Sequence, residues 1–195
     1  FYLSGEIDVI MEVIPQYKAF VESLHFDPAV LERLTSLKES VRAGDQEAMY
    51  QLAEIYLEGR LVLQRNDLAL DLLNLAGKEK RAQYLLGKMY FHGEGVGQDS
   101  KQALKYFQKA ALAGSVDAQM SLAKMCFSGE GIKKNPQLAI RYLLQASERG
   151  SDEANYRLAK TMVSVGEFEK AAGFLSVAAA KGHLEAMVDL GNFYV

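Results

Sequence analysis

The pattern of apolar and polar residues repeats itself along this chain. Two segments, 82–95 and 118–131, each carry an alanine, a leucine four residues later and a closing Gly-Glu-Gly. Each is followed by a second apolar segment, 103–110 and 139–146, and corresponding residues lie 36 apart. Apolar positions three and four residues apart predict amphipathic helices. Self-similarity at a period of this size predicts an array of helix pairs and not a single central core.

The same register can be followed over most of the chain through a leading alanine in each unit. Four residues after it comes a leucine and five residues after it an alanine or glycine, small residues that allow close helix packing. We call the helices that carry these leading alanines the first helices. A second helix follows in each unit and closes near a glycine, which predicts a left-handed C-terminal cap. The fold class predicted is all-α, with leading alanines at Ala48, Ala82, Ala118, Ala154 and Ala186.

The first 43 residues are less regular. Residues 6–24 have apolar positions at helical spacing, but Pro15 lacks an N–H and predicts a kink or a split. Asp27-Pro28 predicts the start of the next helix, with Asp27 as its N-cap. We therefore expect irregular N-terminal helices over 1–43, as a degenerate leading repeat or a cap, and the repeat array over 44–195.

The array stops at Val195, partway through a fifth first helix. A first helix without its second helix leaves apolar surface uncovered. We expect that the native protein continues or that another molecule covers this surface.

The interhelix glycines indicate the type of repeat. Tyr90-Phe91-His92-Gly93-Glu94-Gly95-Val96 and its counterpart at 126–132 resemble the Sel-one-like repeat, a longer-looped relative of the tetratricopeptide repeat. The first unit departs from that pattern with Gly59-Arg60-Leu61, and the fourth has a shorter turn through Val165-Gly166-Glu167. The resemblance implies a right-handed α-α superhelix, a solenoid of antiparallel helix pairs whose concave face is lined by the first helices.

The resemblance also implies a function. In that family the usual role is that of a non-enzymatic scaffold or adaptor that holds partner proteins together, in bacteria or in eukaryotic protein quality control. The alternative is a structural module associated with envelope polysaccharide in an export or cell-wall complex. An upstream signal sequence would favour that alternative.

Composition and charge restrict the possible partners and the cellular location only weakly. The formal net charge is −3, with both signs spread along the chain, so neither a nucleic acid nor an anionic membrane is the expected partner. The one cysteine, Cys126, cannot form an internal disulfide, which slightly favours the cytoplasm over a periplasmic or secreted location. No apolar run reaches the roughly 20 residues of a transmembrane helix. The oligomeric state is left open.

No arrangement typical of an active site appears in the sequence. The three histidines, His25, His92 and His183, are scattered, and Gly93-Glu94-Gly95 lacks the strand and the Gly-Lys-Ser/Thr of a phosphate loop. Cys126 takes the position of a tyrosine in sister repeats, so we expect a buried thiol. We expect no catalytic residue, metal site or cofactor.

One set of residues points to a binding surface. Positions two, six and nine after the leading alanine would face the concave groove if the helices pack as the resemblance implies. Lysines alternate there with aromatic side chains, which favours an acidic protein or peptide partner. A purely structural alternative is that the phenylalanines pack between repeats and the lysines keep the face soluble. The candidate groove residues are Tyr50, Glu54, Tyr84, Lys88, Phe91, Met120, Lys124, Phe127, Tyr156 and Lys160.

Overall fold

A computed structural model describes residues 28–193, which form ten α-helices and no strand. The expected kinked helix over 6–24, the Asp27 cap and Val195 lie outside these residues. The helices are α1 (Pro28–Arg42), α2 (Gln46–Glu58), α3 (Asn66–Leu75), α4 (Lys80–His92), α5 (Ser100–Leu112), α6 (Val116–Ser128), α7 (Pro136–Glu148), α8 (Asp152–Ser164), α9 (Phe168–Ala180) and α10 (Leu184–Phe193).

Each helix packs chiefly on the helices next to it in sequence. The most extensive contacts join α2 to α3, α4 to α5, α6 to α7 and α8 to α9, which are the predicted pairs. The leading alanines of α2, α4, α6, α8 and α10 are all buried, and so are the second-helix alanines. The core is accordingly divided into four clusters along the array and has no common centre. The all-α fold class is confirmed, and none of the helices over 28–193 is long and apolar enough to cross a membrane.

The first helices share an N-terminal capping interaction that the repeat pattern does not predict. The side chain three residues before each leading alanine accepts a hydrogen bond from the backbone N–H of that alanine, at 2.7 to 3.3 Å. This bond satisfies one of the N–H groups that a helix start leaves without a partner. The capping residue differs in type from unit to unit, as Asp45, Glu79, Ser115, Ser151 and His183.

The two glycines of Gly-Glu-Gly have separate roles. The first, Gly93 or Gly129, is the left-handed C-cap of α4 or α6, with φ of 76° or 86°. The second, Gly95 or Gly131, also has a positive φ and touches the preceding repeat. A Cβ at Gly131 would lie 2.6 Å from the carbonyl oxygen of Ser100, where α5 begins. The second glycine is therefore needed for close packing between repeats.

Candidate functional site

Three shallow pockets lie along the surface formed by the first helices α2, α4, α6, α8 and α10, which we call the groove. Each pocket lies between two successive first helices. We call them the acidic pocket (α2–α4) and the basic pocket (α6–α8), after the charges of their side chains, and the terminal pocket (α8–α10), after its position.

The basic pocket has a volume of about 330 Å³ and brings together four of the ten candidate residues: Met120, Lys124, Phe127 and Lys160. Its apolar lining is completed by Ala123 and Leu143. Sequence reasoning missed its third cation, Arg157, which lies three residues after a leading alanine and not at position two, six or nine. The pocket thus combines three cationic side chains with an apolar floor.

The charged groups of the basic pocket differ in how they are paired. The Arg157 Nε atom donates to Glu153 Oε1 at 2.5 Å, and Lys160 Nζ lies 3.4 Å from Asp189 Oδ2. Lys124 is exposed and makes no ion pair with any residue that the structure describes. Lys124 is consequently the cation of this pocket that is most available to a ligand.

The acidic pocket, about 250 Å³ in volume, contains the candidates Glu54 and Lys88. Two further carboxylates, Glu58 and Glu94, complete its charged lining, and neither lies at position two, six or nine after a leading alanine. Leu57, Leu85 and Met89 supply the apolar part. Three carboxylates against one ammonium group make this pocket acidic, in contrast to the pocket between α6 and α8.

The terminal pocket contains Lys160 together with Asp189 and Asn192 of α10. Its charges are of both signs, and the Lys160 and Asp189 side chains pair across it. The pocket therefore adds no net charge to this end of the groove.

The sequence profile of the Sel1 repeat matches residues 46–79, 80–115 and 116–151, which is more than half of the chain. The chain belongs to the Sel1 repeat family. The fold class and the resemblance noted in the sequence are thereby confirmed. Sel1 repeat proteins are generally non-enzymatic scaffolds that bind other proteins.

Two solved structures of Sel1 repeat proteins are similar to this chain. The protective antigen c5321 of uropathogenic Escherichia coli is 29% identical, with a TM-score of 0.78 over 83% of this chain and 36% of c5321. A Sel1 repeat protein from Oxalobacter formigenes is 25% identical, with a TM-score of 0.76 over 84% of this chain and 69% of that protein.

A sequence relative has a longer chain. An uncharacterized protein of Neisseria meningitidis serogroup B is 31% identical over 107 residues, which are 54% of this chain and 23% of that protein. The chain therefore spans about a quarter of the length of this relative and little more than a third of c5321.

Within the Sel1 repeats, the candidate tyrosines contact neighbouring elements and line none of the three pockets. Tyr50 is buried, donates its hydroxyl hydrogen to Glu54, and has the Arg81 guanidinium 4.4 Å above its ring. Burial, and then the bond to Glu54, raise the pKa of Tyr50. Tyr84 packs on Phe107 with ring centroids 5.7 Å apart.

The third candidate tyrosine, Tyr156, stacks on the His183 ring at 4.6 Å between centroids. His183 Nε2 lies 3.0 Å from Glu153 Oε2, while its Nδ1 accepts from the Ala186 N–H at 3.3 Å. The bond to Glu153 raises the pKa of His183. This cluster joins α8 to the start of α10.

Two other residues singled out in the sequence take structural positions. Phe91 is half-buried, with its ring centroid 6.3 Å from that of Phe107, so it packs against its own repeat. Cys126 is fully buried, and burial raises the pKa of its thiol, as expected of a packed and unreactive cysteine. No group of three or more His, Cys, Asp or Glu residues suited to a metal ion occurs among residues 28–193.

Proposed function

We propose that this Sel1 repeat chain is a non-enzymatic interaction scaffold that binds a segment of a partner protein in the groove. The basic pocket is the observation that carries the proposal, because it offers an apolar floor under exposed cationic side chains. Apolar anchors in desolvated pockets supply most of the energy of protein interfaces, while charges supply orientation and specificity.

The state of the candidate residues supports this assignment. Phe127 and Met120 are half-buried, so they can contact a ligand without leaving the fold. Lys124, which forms no ion pair with any residue over 28–193, lies beside them. A partner side chain that places an apolar group on Met120 or Phe127 and a carboxylate near Lys124 would satisfy both features at once.

The general role of the family agrees with the proposal. Sel1 repeat proteins bind other proteins. The buried position of Cys126 agrees with a packing role for the thiol.

Selection from a library of displayed peptides tests the proposal. Peptides enriched on the wild-type chain are then measured against Lys124→Glu in the groove and against Lys105→Glu on the exposed side of α5. Both variants exchange one exposed lysine, so they change the net charge equally. We expect enriched peptides to bind Lys105→Glu with unchanged affinity. Their affinity for Lys124→Glu should be lower by about tenfold or more.

Two outcomes would refute the assignment. Equal affinity for both variants would place binding outside the basic pocket. A library that yields no enriched peptide on the wild-type chain would contradict peptide binding altogether.

A further inference from the structure

The groove changes sign along its length. Between α2 and α4 it carries Glu54, Glu58 and Glu94 against Lys88, and between α6 and α8 it carries Lys124, Arg157 and Lys160 with no acidic lining residue. A uniformly acidic partner would be attracted at one end and repelled at the other. The alignment of lysines at position six, taken alone, does not show this reversal.

Each of the two pockets keeps a charged side chain that no described residue pairs closely. Glu94 follows the left-handed cap of α4, is exposed, and forms no ion pair with another described residue. Glu58 has only a long contact to Arg60, 3.9 Å between two exposed side chains, which contributes little to stability. At the other end, Lys124 forms no ion pair within the described part of the chain. The opposite potentials are therefore accessible to a ligand.

The two pockets are also similar in their apolar parts. The acidic pocket has Leu57, Leu85 and Met89, and the basic pocket has Met120 and Phe127. Apolar residues next to the charged ends of a ligand can thus pack on the apolar parts of both pockets, while the charges determine which end lies in which pocket.

The distance between the two pockets sets the length of a ligand that reaches both. The pockets are two repeats apart, and a step of roughly 10 Å per repeat, taken from the usual spacing of neighbouring helices, gives a separation of about 20 Å. An extended chain rises about 3.3 Å per residue, which makes this distance about six residues.

We infer that the groove binds an extended peptide segment with a basic end and an acidic end about six residues apart, with apolar residues between them, and in one orientation only. The basic end lies in the acidic pocket and the acidic end in the basic pocket. This inference rests on the proposed function and specifies the partner more closely.

Synthetic peptides test the inference directly. The dipolar probe is a capped, fluorescein-labelled peptide of three lysines, Leu-Tyr-Leu and three glutamates. One control has the same residues with the charges alternating, and the other has glutamate in place of every lysine. We expect fluorescence anisotropy to show about tenfold or tighter binding of the dipolar probe, with strong salt dependence.

Charge-swap variants test which end lies where. Two variants are compared with the wild-type chain: the double variant Glu58→Lys/Glu94→Lys, and Lys124→Glu. Each should lower the affinity for the dipolar probe by about threefold to tenfold. Glu148→Lys and Lys105→Glu change exposed residues of second helices and serve as matched controls. A spin label on the acidic end of the probe should broaden amide signals of α8 and leave those of α2 sharp.

The outcomes separate this inference from the proposed function. If the all-acidic probe binds as tightly as the dipolar probe, and only Lys124→Glu weakens it, the groove binds acidic segments and the dipolar inference is wrong. Equal binding of the dipolar and alternating probes would also overturn it. If neither the probes nor any library peptide binds, the proposed function falls as well.

Discussion

Gly87 shows how tightly the two helices of one repeat approach each other. It lies in α4, and a Cβ built on it would be 2.5 Å from the Phe107 ring of α5. Phe107 is itself buried and is held between Tyr84 and Phe91. The ring therefore cannot move aside without disturbing its neighbours.

We expect Gly87→Ala to lower the free energy of unfolding by about 1–3 kcal/mol, because it overpacks this contact. Gly173→Ala is the matched control, since Gly173 also lies inside a helix but has nothing within 4 Å of the added Cβ. There the better helix propensity of alanine should stabilise the protein by about 0.5–1 kcal/mol. Urea unfolding of both variants measures the difference. Equal effects of the same sign would show that the close approach at Gly87 is unimportant.

Individual residues also show which contacts could be predicted from the sequence and which could not. The leucine and small residue that follow each alanine predict close packing, because the helical period fixes which side of the helix they share. The covering of Tyr50 by Arg81 depends on contacts between different repeats, which periodicity does not specify. For the same reason Arg157, Glu58 and Glu94 were missed, although each lines a pocket.

At the scale of elements, the last first helix begins differently from the others. α2, α4, α6 and α8 are capped by Asp, Glu or Ser, whereas α10 is capped by His183. The His183 side chain is only 9% exposed and lies between Glu153 of α8 and Glu185 of α10, against the Tyr156 ring. Burial raises the pKa of Glu153, but its bonds to His183 and Arg157 outweigh this, so the pKa lies below its usual range.

This arrangement predicts a pH dependence. The pKa of His183 is raised by Glu153, and further by the charges of Glu185 and Asp152, so the folded state holds its proton more tightly than the unfolded state. The resulting stabilisation is complete below the unfolded pKa of about 6.5 and is lost as pH rises through the higher folded pKa. We expect the docking of α10 to weaken as pH rises from about 6.5 through the raised folded pKa, an effect partly offset because only the neutral ring can accept from the Ala186 N–H through Nδ1.

His183→Asn is the control for this prediction, because asparagine is a good N-cap and does not titrate. Hydrogen exchange of α10 amides, corrected for the intrinsic effect of pH, should show falling protection with pH in the wild-type chain and a flatter profile in the variant. Parallel profiles would exclude His183 as the titrating group.

At the scale of the whole molecule, the contacts predict a one-dimensional pattern of stability. Among the ten described helices, extensive packing joins only those that are consecutive in sequence, and the buried clusters succeed each other along the array. α6 packs on both α5 and α7, whereas α10 packs chiefly on α9 within the described residues. Stability should then be close to a sum of repeat and nearest-neighbour terms.

Hydrogen exchange measures the free energy of local opening along the chain and so tests this prediction. Because an end repeat can open by breaking one interface and a central repeat must break two, we expect amides of α4 to α7 to exchange most slowly and those of α10 fastest. Leu122→Ala, at a fully buried position of α6, should cost about 2–5 kcal/mol and reduce protection most in α5 to α7. An exposed change, Lys105→Ala, should leave the profile unaltered. Uniform protection from α1 to α10, or a uniform loss in Leu122→Ala, would mean that the array unfolds as one cooperative unit.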